Sequence, residues 1–341
     1  MVRIVKWLIG LVVIAALGWS GWWYLGATGQ EAGIRAWLEK QRDRGWQAEA
    51  RDIDVSGYPT DFRMVATDIE LADPQTGWAW RSPELKADSQ ASVPTRINVT
   101  WPAKHSIAVP EDQVTITSKK METLLDLRPG PAMELREAAS QIEALVLTAR
   151  SGWKADAKSA NLQLLERAAD TAPENSYNLK AVAVDVTLPK ELVAQIDPTG
   201  WLQPKIGTLT FLAHGAFDDP LDRKTVEDGR LALRQATIRE AGFEWGDMRL
   251  VLKGSFEVDD FGYPVGSIEI EANEWRQMVR LARRSGVIDR NLEANIVQGI
   301  ELFTALLGGG DDLSAPFGLS DGKIKLGPFA IADAPRLAPP R

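Results

Sequence analysis

From Trp7 to Gln30 the chain carries no charged residue, although a quarter of the 341-residue sequence is Asp, Glu, Lys or Arg. Read as a helix at about 1.5 Å per residue, the apolar core from Trp7 to Leu25 is roughly 28 Å long, the thickness of a bilayer's hydrocarbon layer. Arg3 and Lys6 precede it, and the positive-inside rule then puts the N-terminus in the cytoplasm and the rest across the membrane. Trp19, Trp22, Trp23 and Tyr24 close the segment, and their amphipathic rings suit the outer interface. A cleaved signal peptide has a shorter apolar core and small residues at its cleavage site. Ala16-Leu17-Gly18 meets that requirement poorly, because cleavage there leaves the aromatic cluster as a new N-terminus. Residues 1–29 therefore read as a cytoplasmic stub and one retained transmembrane helix.

Residues 30–45 read as a separate juxtamembrane helix. Ile34, Trp37, Leu38 and Gln41 recur at helical spacing and Gly45 follows as a stop. This helix either lies at the membrane surface or caps a sheet.

From Trp46 onward the dominant period is two, the strand signature. Phe62, Met64 and Ala66 alternate with polar residues before the phase slips to Ile69 and Leu71. Val182, Val184, Val186 and Leu188 form a further series, as do Leu209, Phe211 and Ala213. One apolar and one polar face per strand is the pattern of antiparallel sheets. Residues 133–150 fit either helix or strand. Two helices are expected near 274–285 and 289–307, the first capped by Asn273. The fold class is therefore mainly β with C-terminal α-helices: a curled antiparallel sheet or open half-barrel occupying 46–328. The Pro/Ala-rich stretch 329–341 reads as a flexible tail, and the region 197–204 is the best internal boundary.

The chain lacks cysteine, which excludes disulfides, thiolate metal sites and thiol nucleophiles. Its net charge of −8 argues against bulk binding to nucleic acid. The two histidines, His105 and His214, are far apart in sequence and show no metal-ligand spacing. Asp52, Asp54, Ser56 and Gly57 imitate half of a calcium loop, but Pro59 and Arg63 break the match. No catalytic residue, cofactor or metal ligand is assigned, so the body reads as non-catalytic. A carboxylate-based hydrolase is the remaining enzyme class, with no pair of acids singled out.

Two features bear on binding. Nine tryptophans lie beyond the first helix, as core packing or as a greasy surface. Arg276, Arg280, Arg283, Arg284 and Arg290 form a basic patch, either a solvated helix face or a surface for lipid headgroups or an acidic partner.

Gly45-Trp46, Gly57-Tyr58-Pro59 and Phe62 follow the membrane helix, and Gly322-Lys323-Ile324-Lys325-Leu326-Gly327-Pro328 closes the body. Together these resemble domain-of-unknown-function family 2125, membrane-anchored envelope proteins of alphaproteobacteria. The family has no assigned activity, so the resemblance implies a location and no site. More loosely, the arrangement is similar to AsmA-type proteins, whose curved sheets form apolar grooves. The resulting expectation is a single-pass protein of the bacterial inner membrane, cytoplasmic at its N-terminus and periplasmic in its body. It would bind lipid or another hydrophobic ligand along a β-groove, or alternatively serve as a scaffold for an envelope protein complex.

Overall fold

The structure, a computed structural model, describes residues 2–168, 170, 172–197, 200, 202–228, 231–286, 288–307 and 312–338. The chain divides into two compact units, 1–126 with 149–151, and 127–148 with 152–341.

The first unit opens with α1 (Val2–Asp43). The two helices expected over 1–45 are one. The change from apolar to charged residues at Glu31 alters what surrounds the helix and not its backbone, and no proline interrupts it. Gly45, at φ 91°, ends it: the Gly45 and Trp46 amides bond back to the Arg42 and Gln41 carbonyls. One helix of the described chain is thus long and apolar enough to cross a membrane.

The strands β1 (Gln47–Ser56), β2 (Asp61–Asp73), β3 (Trp78–Gln90), β4 (Val93–Thr100), β5 (Lys104–Val109), β6 (Asp112–Thr117) and β7 (Lys120–Leu127) follow. β1 pairs with β2 and β2 with β3, all antiparallel. The two ends of β3 pair with β4 and with β5, so β4 and β5 are halves of one strand broken at Trp101-Pro102-Ala103. β6 and β7 face them in the same way. Pro83 stands opposite Asp68, which has φ 47°. Prolines that cannot donate to the ladder and one left-handed residue thus line up across the strands, which is why the sequence phase slips after Ala66. Ile34 and Leu38 of α1 pack on Ala48, Ile53, Ala66 and Ile69.

The second unit is a meander of β8 (Leu135–Ala149), β9 (Lys154–Glu166), β10 (Ser176–Thr187), β11 (Ile206–Phe217), β12 (Leu233–Trp245), β13 (Met248–Val258), β14 (Pro264–Ala272), β15 (Leu313–Ser320), β16 (Lys323–Leu326) and β17 (Phe329–Asp333). Each strand pairs antiparallel with the next. The short helices α2 (Lys190–Ile196) and α3 (Arg223–Asp228) lie in connections. Between β14 and β15 come α4 (Trp275–Arg284) and α5 (Arg290–Leu307). Trp275, Met278, Val279, Leu292, Ile296 and Ile300 pack over Ala272, Leu313, Ala315, Phe317 and Leu326.

Residues 135–149 are strand. Their alternation is obscured because Ala144 is left-handed (φ 50°), opposite Lys158 and, beyond it, Asp185 (φ 52°). The same irregularity breaks the series expected from Val182 to Leu188: Ala181 and Ala183 face Phe211 and Leu209 across the ladder, and Val186 faces Ile206. Asn273 does not cap α4. Glu274, at φ 56°, holds that position, while Asn273 bonds the Asp247 carbonyl and the Arg249 amide and so braces the β12–β13 turn.

The expected tail is largely ordered. Phe329–Asp333 pairs with β16, the Leu337 amide bonds to the Gly262 carbonyl, and Arg336 lies over the Tyr263 ring. Ala334 and Ala338 are buried. Short apolar residues let this segment lie flat on the turns beneath it. The division between units falls at 126/127 and not in 197–204; Pro198, Thr199 and Trp201 lie outside the described residues.

Candidate functional site

In the first unit, β1 runs back along α1, so the β1–β2 turn meets the helix again at its aromatic cluster. Three indole N–H groups donate to turn carbonyls: Trp19 to Pro59 (2.8 Å), Trp23 to Asp61 (2.8 Å) and Trp22 to Ala91 (3.3 Å). The Ser20 hydroxyl meets the Tyr58 hydroxyl at 2.8 Å. Trp23 stacks on Phe62 at 5.7 Å and meets Tyr58 edge-on at 5.5 Å. Gly26 faces the buried Phe62, where a Cβ would come within 2.5 Å of the ring. The aromatic residues expected at the membrane interface therefore also clamp the helix to two turns. Trp7, Leu25, Tyr24 and Lys6 are exposed, and Arg3 lies outside the residues whose side chains are described.

Further along the same unit, His105 is 6% exposed and packs at 5.7 Å from Trp101 and 6.5 Å from Trp80. Its Nδ1 has no hydrogen-bond partner. Burial pushes its pKa below 6.5, opposed by the Pro102 carbonyl. His105 also lines an open cleft of about 540 Å³, where Arg81 bonds Glu70 beside Lys104, Ser106 and Gln113.

In the second unit the strand register places apolar side chains in rows. Leu162, Ala181 and Phe211 are successive cross-strand partners, followed by Ala241 and Leu252. A neighbouring row runs through Ala160, Ala183, Leu209, Phe243 and Leu250. At one end this face is covered by α4 and α5. Near Ile206, Trp245 and Met248 it is covered by Ile196 and Leu202. Over β9–β11 it is open: Leu162 is 47% and Phe211 40% exposed.

Two arginines of the basic patch are engaged within the molecule. Arg276 lies over the Trp275 ring at 4.5 Å and pairs with Glu301, and Arg283 pairs with Glu293 at 2.9 Å. Arg280, Arg284 and Arg290 belong to the same helix pair and are all exposed. Several tryptophans serve packing: Trp275 and Trp245 are buried, Trp245 donating to the Gln203 carbonyl at 2.8 Å. His214 bonds Asn178 at 2.6 Å, and desolvation, then Arg167 and Arg239, lower its pKa. Among the described residues no three His, Asp or Glu side chains are placed to hold a metal. Asp52 and Asp54 lie on β1, where Asp52 accepts from the next amide. Arg128 bridges Glu134 and Glu166 at 3.0 and 2.9 Å, a salt-bridge fork.

A family model described as "Uncharacterized protein conserved in bacteria (DUF2125)" matches residues 23–335. The chain belongs to the DUF2125 family. No curated protein and no solved structure matches it.

The residues through which the sequence resembles DUF2125 are structural in this member. Gly45 terminates α1, and Trp46 packs on Trp78 at 5.8 Å. Gly57, at φ 104°, opens the turn that carries Tyr58 and Pro59 to the helix, and Phe62 fills the junction core. Gly322 (φ 67°) and Gly327 (φ 56°) form the tight turns on either side of β16, with Pro328 completing the second, and Leu326 is 2% exposed in the core under α5. The clamp itself was missed from sequence because its acceptors are backbone carbonyls, which leave no residue signature. The recurrence of Trp at 19, 22 and 23 opposite a Gly-Tyr-Pro turn was the available signal.

Proposed function

We propose that this DUF2125 protein is a non-catalytic, membrane-anchored envelope protein that holds a lipid or a similar hydrophobic molecule against the apolar sheet face of its second unit. The observation that carries the proposal is the open part of that face. Leu162, Ala181 and Phe211 form one continuous row, and their neighbours Leu164, Leu179, Ala183 and Leu209 are only half-buried. Leaving such a face in water costs about 25 cal/mol per Å² of apolar surface, and extended apolar patches on folded proteins mark interaction sites. An acyl chain fits the chemistry, since the rows offer aliphatic and aromatic contact and no charge.

A helix suited to spanning a bilayer supports a lipid as occupant, because it keeps the body next to a lipid reservoir. With Arg3 and Lys6 before the span, the positive-inside rule gives a cytoplasmic N-terminus and a periplasmic body. The proposal predicts that the full chain, extracted with its surrounding bilayer and analysed by mass spectrometry, retains a defined lipid beyond the bulk composition. Leu162→Asp combined with Phe211→Asp should abolish that retention. Equal lipid content in both proteins would refute the groove.

A further inference from the structure

We infer that the two turns clamped by α1, residues 57–60 and 91–94, are embedded in the headgroup and upper acyl region of the bilayer, so that the first unit grips the membrane with loops as well as with its helix. This goes beyond the lipid groove and rests on the reading that α1 spans a bilayer.

Crossing about 30 Å of hydrocarbon takes about 20 helical residues. The last charge before the apolar run is Lys6 and the next is Glu31, so a span beginning at Trp7 ends near Gly26. A span beginning later ends later. The turn carbonyls bonded by Trp19 and Trp23 are therefore held roughly 5–10 Å to the membrane side of that end. The turns cannot clear the bilayer without breaking these bonds.

The turns are built for such a place. Backbone polar groups enter a membrane only when satisfied internally. Here the Pro59, Asp61 and Ala91 carbonyls each accept an indole N–H. The Gly57 carbonyl accepts from the Asp61 amide at 3.0 Å, and the Thr60 carbonyl from the Ala91 amide at 2.9 Å. Even the Tyr58 hydroxyl is matched by Ser20, which itself bonds the Ala16 carbonyl. Residues 57–60 and 91–94 carry no charge, and the carboxylate of Asp61, which follows the first turn, is paired with Arg63 at 3.3 Å. Tyr58 and Val93 are 58% and 46% exposed, an exposure costly in water and favourable among lipids. Arg63 and Arg96 are exposed a few residues behind the two tips, where their guanidinium groups reach phosphate.

The chain has no cysteine, so an introduced thiol can be labelled uniquely. Full-length Tyr58→Cys, Val93→Cys, Leu17→Cys and Gln75→Cys are labelled with an environment-sensitive fluorophore. Each is reconstituted in phosphatidylethanolamine–phosphatidylglycerol vesicles without quencher or with lipids carrying a doxyl quencher at a shallow or at a deep acyl position. The expected result is strong quenching at Leu17 by the deep quencher and at 58 and 93 by the shallow one, and little by either at Gln75 in the far β2–β3 turn. Quenching at Leu17 with 58 and 93 no more affected than 75 overturns the embedded turns and leaves the anchor intact. No quenching at Leu17 overturns both. Val93 makes no bond to α1, so its label keeps the test decisive if Tyr58→Cys loosens the clamp.

Discussion

His105 is the residue whose chemistry departs most from its surroundings: an imidazole between two indoles, with one nitrogen unpartnered. Burial disfavours its charged form, so its folded pKa lies below the 6.5 of an exposed histidine. The unfolded chain then binds a proton more readily than the folded one. Stability from this residue is complete above pH 6.5 and is lost as pH falls from there towards the folded pKa. Thermal unfolding of the full chain should show a melting temperature that drops below about pH 6.5, with the drop reduced in His105→Leu. An unchanged acid limb in that variant would show that the loss arises elsewhere. Sequence spacing separated His105 from His214 but gave no hint of burial, because Trp80 reaches it only through the β3–β5 pairing and Trp101 only through the bend between β4 and β5.

At the scale of elements, the junction between α1 and the β1–β2 hairpin unites the anchor and the body of the first unit. Trp23 contributes a hydrogen bond, a stack on Phe62 and an edge contact with Tyr58. Trp23→Ala should weaken the junction by at most about 3 kcal/mol, the low end of the range for a buried aromatic side chain, because Trp23 is half-buried. Hydrogen exchange should then accelerate at the Asp61 and Ala91 amides while β12–β15 stay protected. Uniform acceleration throughout the chain would instead mean that the substitution unfolds the protein globally.

The existence of α1, α4, α5 and most strands was legible in apolar periodicity, since a 3.6- or 2-residue period directly reflects a buried face. Less legible were the joins. Composition changes at Glu31 while the backbone continues, and Ala144 and Asp185 reverse the strand phase through left-handed conformations that neither residue type announces. The C-terminal segment misled for a related reason. Its Pro and Ala content suggested a free tail, whereas a backbone bond to Gly262 and the Arg336–Tyr263 contact hold it down.

The whole molecule combines a helix suited to spanning a membrane with an antiparallel body whose second unit leaves part of its apolar face uncovered. α4 and α5 show what closure looks like where it occurs, burying Trp275, Ala315, Phe317 and Leu326; among the described residues nothing comparable covers Leu162 and Phe211, which are 47% and 40% exposed. From sequence the alternating pattern revealed that an apolar face exists, but not how much of it the helices reach, because coverage is a property of tertiary packing. The most direct test places a photo-crosslinking amino acid at Phe211 in the full-length protein in cells, with Lys180, exposed on β10, as the control position. The account predicts a lipid adduct at 211 and none at 180. A protein adduct at 211, or no adduct at either position, would contradict a lipid-holding face.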